Sequence, residues 1–237
     1  MIDRYPIVMN EFDTMRAVLS GKSLARYGDG ELKMAHHLAG IKSQAENELL
    51  TARLADILHR SGECLVGIPN IHAVIDAHVS DQKVEHWARY LSMKSVLADR
   101  RYVSSFVTRP DSAPWINTPE YWAMVESLWI GQDVTLVRGS GKSLVADDLQ
   151  GARTITEILA PRQHAWAEYD QLLERIGTPK RALLCLGPTA TVMAVDLCKK
   201  GVHAIDLGHV GLFLHKVRRG EPMWLTKEDK TPEVVAS

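Results

Sequence analysis

Gly28-Asp29-Gly30-Glu31 sets two carboxylates two residues apart between glycines, and it is the stretch of this sequence best suited to chemistry. Residues 23–27 read as a short strand, and a helical period begins just after the motif at Leu32, Ala35, His36, Leu38 and Ala39. A strand, tight turn and helix in that order bring Asp29 and Glu31 to the carboxyl end of a strand, where Gly28 and Gly30 let the backbone turn and a bulky ligand approach. Two hard oxygen donors this close suit Mn or Mg carrying a diphosphate. The same residues also allow a purely local reading. Asp29 would then cap the helix and Glu31 would sit in its first turn, where the macrodipole favours acids.

Other polar residues fall at the ends of apolar runs. Residues 64–69 form a continuous apolar stretch stopped by Pro69, the mark of a buried parallel strand, and Asn70 follows it. Residues 102–108 read as a strand that delivers Arg109 to its mouth, either as a clamp on phosphate or an acceptor hydroxyl, or as an ion-pair partner of Asp111. After the strand 133–137, Gly139, Gly141 and Lys142 combine open backbone amides with a point charge. A Walker A loop is excluded there, because the required glycine is replaced by Leu136. Residues 182–186 lead through Gly187-Pro188-Thr189 into a helix, a turn suited to a phosphate or ribose, or else simply a well-capped helix start. Residues 204–207 deliver Asp206, Gly208 and His209 to the same sheet edge.

Arg26-Tyr27-Gly28-Asp29-Gly30-Glu31 resembles the Arg-x-Gly-Asp-Gly-Glu signature of the bacterial GT-D fold glycosyltransferases. A second stretch, Leu186-Gly187-Pro188-Thr189-Ala190-Thr191 with Asp196-Leu197 and then Ala204-Ile205-Asp206-Leu207-Gly208-His209, resembles that family's carboxy-terminal signature in order and spacing. Weaker matches run through 139–149 and 161–169, so the likeness covers about residue 20 to about residue 215. One departure stands at Asp147-Asp148-Leu149, where the family has Asn-Asn-Leu.

The resemblance implies transfer of a sugar from a nucleoside diphosphate sugar, above all a UDP-sugar, to a saccharide, lipid-linked glycan or glycoprotein acceptor. It implies that Asp29 and Glu31 hold Mn or Mg and that His209 completes or borders that site, as a ligand or as acceptor base. Asp206 and Asp148 are weaker base candidates. The donor set expected with them is Arg26, Gly28, Gly30, Asn70, Arg109, Gly139, Lys142, Asp148, Gly187, Pro188, Thr189 and Asp206. A nucleotide-sugar-binding protein without turnover and a metal-dependent phosphohydrolase are the competing function classes. Trp115, Trp122 and Trp129 offer sugar-stacking surfaces, although the spacing of the last two also fits core packing.

The elements that must position these groups alternate. Helical periods cover 7–20, 46–59, 71–79, 84–97, 118–129, 164–176 and 191–199, between strands at 23–27, 64–69, 102–108, 133–137, 154–159, 182–186 and 204–207. That order implies an α/β fold, a Rossmann-like open and mostly parallel sheet with helices on both faces. With no Gly-x-Gly-x-x-Gly opening an early helix, a dinucleotide-dependent oxidoreductase is disfavoured.

At 237 residues, 46% hydrophobic and 24% charged, the chain suits one domain over 1–220 with an extension over 221–237, where Trp224 and Leu225 are the docking candidates. A net charge of −1 gives no general attraction to nucleic acid. The absence of a long apolar run or a secretory pattern makes a cytoplasmic location the expectation. Cys64, Cys185 and Cys198 are too few and scattered for a disulfide framework or zinc site and read as buried thiols. His72, His78 and His86 match no compact ligand set.

Overall fold

The computed structural model describes residues 5–36, 40–41, 43–60, 62–90, 97–98, 100–139, 143–226 and 229. An eight-stranded sheet runs β1-β4-β3-β2-β8-β7-β5-β6, and its registered neighbours are parallel. The strands are β1 (Val8–Met9), β2 (Leu24–Arg26), β3 (Leu65–Ile68), β4 (Tyr102–Ser104), β5 (Asp133–Arg138), β6 (Thr154–Leu159), β7 (Arg181–Cys185) and β8 (His203–Asp206). The helices are α1 (Glu11–Leu19), α2 (Asp29–Ala35), α3 (Glu48–His59), α4 (Ile71–Asp76), α5 (Asp81–Ala88), α6 (Pro119–Glu126), α7 (Tyr169–Ile176), α8 (Pro188–Lys199) and α9 (Val210–Arg218). Among the described residues no helix is long and apolar enough to cross a membrane.

Central strands such as β2 and β7 are apolar because helices cover both faces, and their side chains join one continuous hydrophobic core. Local chemistry sets the helix starts. Thr118 Oγ1 accepts from Tyr121 N–H at 3.2 Å with Pro119 at the first position of α6, and Asn47 Oδ1 accepts from Leu50 N–H at 3.0 Å to open α3.

The two halves of the sheet meet at β2 and β8, where one registered pair, Leu24 opposite Ile205, joins them. Beyond that pair the strands part. The Arg26 N–H turns to the Asp206 carboxylate, donating to Oδ2 at 3.3 Å in place of a strand carbonyl. The crevice in which an open sheet takes its ligand lies outside the carboxyl ends of the strands at such a switch in strand order, and Arg26, Glu31 and Asp206 are at that edge.

Several expectations need correction. The strand expected over 102–108 stops at Ser104, whose Oγ accepts from Phe106 N–H at 3.1 Å and turns the chain into a 3-10 helix, Ser105–Thr108. His164 does not begin a helix, because it adopts a left-handed φ of 58°. From there its N–H donates to Ser43 O and its Nδ1 accepts from Ala45 N–H, each at 2.8 Å, and a 3-10 turn, Ala165–Glu168, precedes α7. The period expected over 84–97 begins earlier as α5, and residues 91–96 lie outside those described. Edge strand β1 and helix α9 are elements that the periodicity did not single out. In the extension, Leu225 packs partly against the core while Trp224 stays 66% exposed, so one of the two docking candidates docks. Cys64 and Cys185 are buried as expected, whereas Cys198 is half-exposed and its side chain meets that of Cys64.

Candidate functional site

Asp29 and Glu31 occupy the first turn of α2, directly past β2. Gly28 is the N-cap, not Asp29, and its N–H donates to Glu31 Oε2 at 2.9 Å. The local reading therefore holds for Glu31, whose carboxylate accepts from the N-cap amide in the first turn, and fails for Asp29, which is not the cap. Asp29 is half-exposed and lies 3.8 Å from Lys33 Nζ, one helical turn on.

Behind them sits Asp206 at the end of β8. It is buried, and it accepts from Arg26 N–H and Thr191 Oγ1 at 3.3 Å each and from Gly208 N–H at 3.1 Å. Arg26 is buried as well, its Nε donating to Ser105 O at 3.0 Å. Gly208 has φ of 52°, a conformation that favours glycine, and a Cβ there would stand 2.5 Å from Arg26 Nη1 and push that guanidinium aside. That tight approach carries the next residue, His209, to the exposed head of α9 at the same edge.

Burial raises Glu31 to about 7, helped by the nearby Asp206 charge, and burial raises Asp206 to about 6 against the opposing pull of Arg26. The folded protein thus binds protons at these acids that the unfolded chain has already released, from about pH 4.5 up to about pH 7. Stability falls across that window as pH rises and is level above it. The expected result, by thermal unfolding in EDTA, is a midpoint that drops between pH 5 and pH 7.5, on the order of 2 kcal/mol in stability. Glu31→Gln should flatten the slope. A slope unchanged in that variant would show that Glu31 is not the group responsible.

Arg109 follows β4 and its 3-10 helix. It grips Asp111 with Nε on Oδ1 at 2.7 Å and Nη2 on Oδ2 at 2.8 Å, and Lys83 Nζ adds a bond to Oδ2 at 3.0 Å. The ion-pair reading is the one observed, although the charges of Asp29 and Glu31 also act on Arg109. Those two cations hold the buried Asp111 carboxyl well below the usual carboxylate range, against the upward push of burial.

At the other side of the crevice, Gly187 (φ of 57°) precedes Pro188 at the first position of α8 and offers no side chain to its opening amides. Thr189 is buried with Oγ1 on Gln44 Oε1 at 3.4 Å. Gly139 passes Pro161 so closely that a Cβ would lie 2.7 Å from its carbonyl oxygen, which accounts for the glycine by packing. Lys142 lies outside the described residues.

Two of the residues expected in the donor set have partners within the chain. Asn70 is buried, with Nδ2 donating to Glu11 Oε1 at 3.1 Å and Oδ1 accepting from Ala73 N–H at 3.4 Å. Asp148 is buried under α9, where Oδ1 meets His215 Nε2 at 2.7 Å and Arg218 Nη1 at 3.0 Å, and Oδ2 accepts from Val145 N–H at 3.0 Å. Long-range partners decided both cases. Trp122 and Trp129 are core residues, whereas Trp115 is half-buried with its indole N–H on Glu11 Oε2 at 2.7 Å. Glu11 itself, a buried acid that also accepts from Ser104 Oγ at 2.7 Å, was not legible beforehand. Its only local signal is the place it holds after Asn10 at the head of α1.

The donor set suits a divalent ion. Two carboxylates from one helical turn, beside a third carboxylate whose charge Glu31 feels, are what Mg or Mn needs when substrate phosphates complete its shell. Among the described residues no three His, Cys, Asp or Glu side chains group as a metal cluster by themselves.

The family model described as glycosyltransferase GT-D fold matches residues 24–223. A probable glycosyl transferase Gly of Streptococcus gordonii is 28% identical over 206 residues, covering 80% of this chain and 30% of the relative. Glycosyltransferase GlyD of Streptococcus pneumoniae serotype 4 is 30% identical over 209 residues, covering 79% and 25%. The chain thus spans under a third of each of these relatives. Among solved structures, domain of unknown function 1792, described as having a distinct glycosyltransferase fold, superposes with TM-score 0.80 at 29% identity, covering 93% of this chain and 84% of that one. A glycosyltransferase of the same domain type from Streptococcus sanguinis gives 0.77 at 26% identity, covering 97% and 91%.

Proposed function

Because the chain belongs to the GT-D fold glycosyltransferase family, we propose that it is a metal-dependent glycosyltransferase moving a sugar from a nucleoside diphosphate sugar, in the first instance a UDP-sugar, to a saccharide, lipid-linked glycan or glycoprotein acceptor. The observation that carries the reading is the acid pair Asp29 and Glu31 in one helical turn at the crevice where β2 and β8 part. Asp29 and Glu31 are the residues that would hold Mn or Mg. When bound, the ion neutralises charge that develops on the departing nucleoside diphosphate.

The remaining roles belong to the chain itself. Past Gly187 and Pro188 the Thr189 N–H at the head of α8 suits a phosphate or ribose oxygen. Arg26, fixed between Asp206 and Ser105 O, balances the acids from beneath. Arg109 is held at the rim by Asp111 and adds positive charge near the diphosphate position. His209 is assigned to the exposed rim, where an imidazole is suited to take the proton of an incoming hydroxyl.

Calorimetry with UDP, GDP, ADP and CDP in the presence and absence of Mn tests the donor reading, with Mn-dependent binding of one nucleotide, UDP first, as the expected result. Uniform failure of all four would overturn it. Product analysis of a UDP-sugar with and without acceptor glycans then separates transfer from simple hydrolysis and from binding without turnover.

A further inference from the structure

We propose that the cleft between the heads of α3 and α7 is a saccharide subsite that takes one neutral pyranose ring of the acceptor. The inference rests on the glycosyltransferase reading above for its role, but the cleft is defined by its own chemistry. Its volume is about 270 Å³, and its walls include Leu49 and Arg53 on one side and Trp166, Glu168, Tyr169 and Asp170 on the other.

The apolar part of the wall is unusual for a surface. Leu49 is 62% exposed, next to half-buried Trp166, whose ring lies 4.4 Å from that of Tyr169 at 40°. A pyranose presents one face of C–H groups to such a surface and a girdle of hydroxyls to the polar groups around it. Aromatic bodies flanked by a few fixed polar side chains are the combination that orients such a ligand.

The polar part discriminates between ligands. Arg53 Nη2 meets both oxygens of Asp196 at 2.7 Å, and Tyr169 O–H donates to Asp196 Oδ2 at 2.7 Å. The guanidinium is therefore rigidly placed and its charge is already matched. Glu168 and Asp170 add negative charge to the opening. A phosphate-bearing ligand meets repulsion there, whereas a neutral polyol finds acceptors for its hydroxyls. Position agrees with an acceptor role. Gln44 Oε1 accepts from the Trp166 backbone N–H at 3.2 Å and from Thr189 Oγ1 at 3.4 Å, so one side chain separates the cleft from the head of α8, which is proposed above to meet a phosphate or ribose oxygen of the donor.

Saturation-transfer NMR on the full chain with methyl β-glucopyranoside, methyl β-galactopyranoside and methyl N-acetyl-β-glucosaminide tests the subsite. At least one glycoside should bind in the millimolar range. Trp166→Ala should weaken it about tenfold, while Trp166→Phe retains most of the affinity by keeping a stacking ring. Leu49→Gln, at an exposed position that leaves folding undisturbed, provides a second variant and should also weaken binding. Equal binding to wild type and to both weakening variants, or no glycoside binding up to the solubility limit, would each overturn the proposal. Nucleotide calorimetry with Mn on the same samples keeps the two readings apart. Glycoside binding that depends on Trp166 in a protein that binds no nucleotide would sink the donor assignment and leave the subsite standing.

Discussion

Glu31→Gln is expected to fold normally and to lose roughly 100- to 1000-fold in transfer rate, the scale of removing one preorganised electrostatic stabiliser. Folding survives because glutamine keeps a carbonyl oxygen able to accept from Gly28 N–H, as glutamate does at 2.9 Å. Above pH 7 the variant should even be the more stable protein, since it no longer confines a charge that burial and Asp206 disfavour. Asp29→Asn should lose transfer to a similar degree at little structural cost, because Asp29 is half-exposed and its contact with Lys33 is long at 3.8 Å. Donor calorimetry with Mn, turnover and thermal midpoint are measured together. Normal Mn-dependent turnover in either variant would show that the acid pair does not hold the ion.

Asp111→Ala should produce the largest loss of stability, about 3–5 kcal/mol by urea unfolding, because it strips a buried carboxylate from two cations that enclose it. The same change should reach the candidate site. Arg109, released from its fork, lies in the field of Asp29 and Glu31 and becomes their competing counter-ion, so Mn affinity should fall as well. A loss under about 1 kcal/mol would place this cluster with solvent-screened surface pairs. A stability loss with unchanged Mn affinity would confine Asp111 to a structural role.

Much of the architecture was legible because each central strand is an apolar run ended by glycine, proline or a polar residue. The turn at Gly28, the turn at Gly187 and the end of β8 were readable as one sheet edge for that reason, and all three face the crevice. Direction was not legible. Asn70 and Asp148 sit at the expected edge, yet both side chains turn inward to partners 59 and 67 residues away, Glu11 and His215. No local pattern encodes such pairings. Strand β4 was overextended for a related reason: Ser104 looks as strand-compatible as Val103, and its cap bond to Phe106 N–H appears once the chain is folded. The left-handed turn at His164 was missed because residues other than glycine seldom adopt it and the two hydrogen bonds to Ser43 and Ala45 that hold it are non-local.

The parting of β2 and β8 also has a mechanical meaning. In a fully paired sheet, widening a gap between neighbouring strands breaks a run of backbone bonds and strains the packed layers on both faces. Here the half-sheets share one registered pair, and side chains carry the join above it: Asp206 to the Arg26 amide, and Thr191 Oγ1 to Arg26 O at 2.8 Å. Helix α8 packs on both strands, so the join between the half-sheets rests on one helix and a few side-chain links where a ladder of backbone bonds would otherwise run.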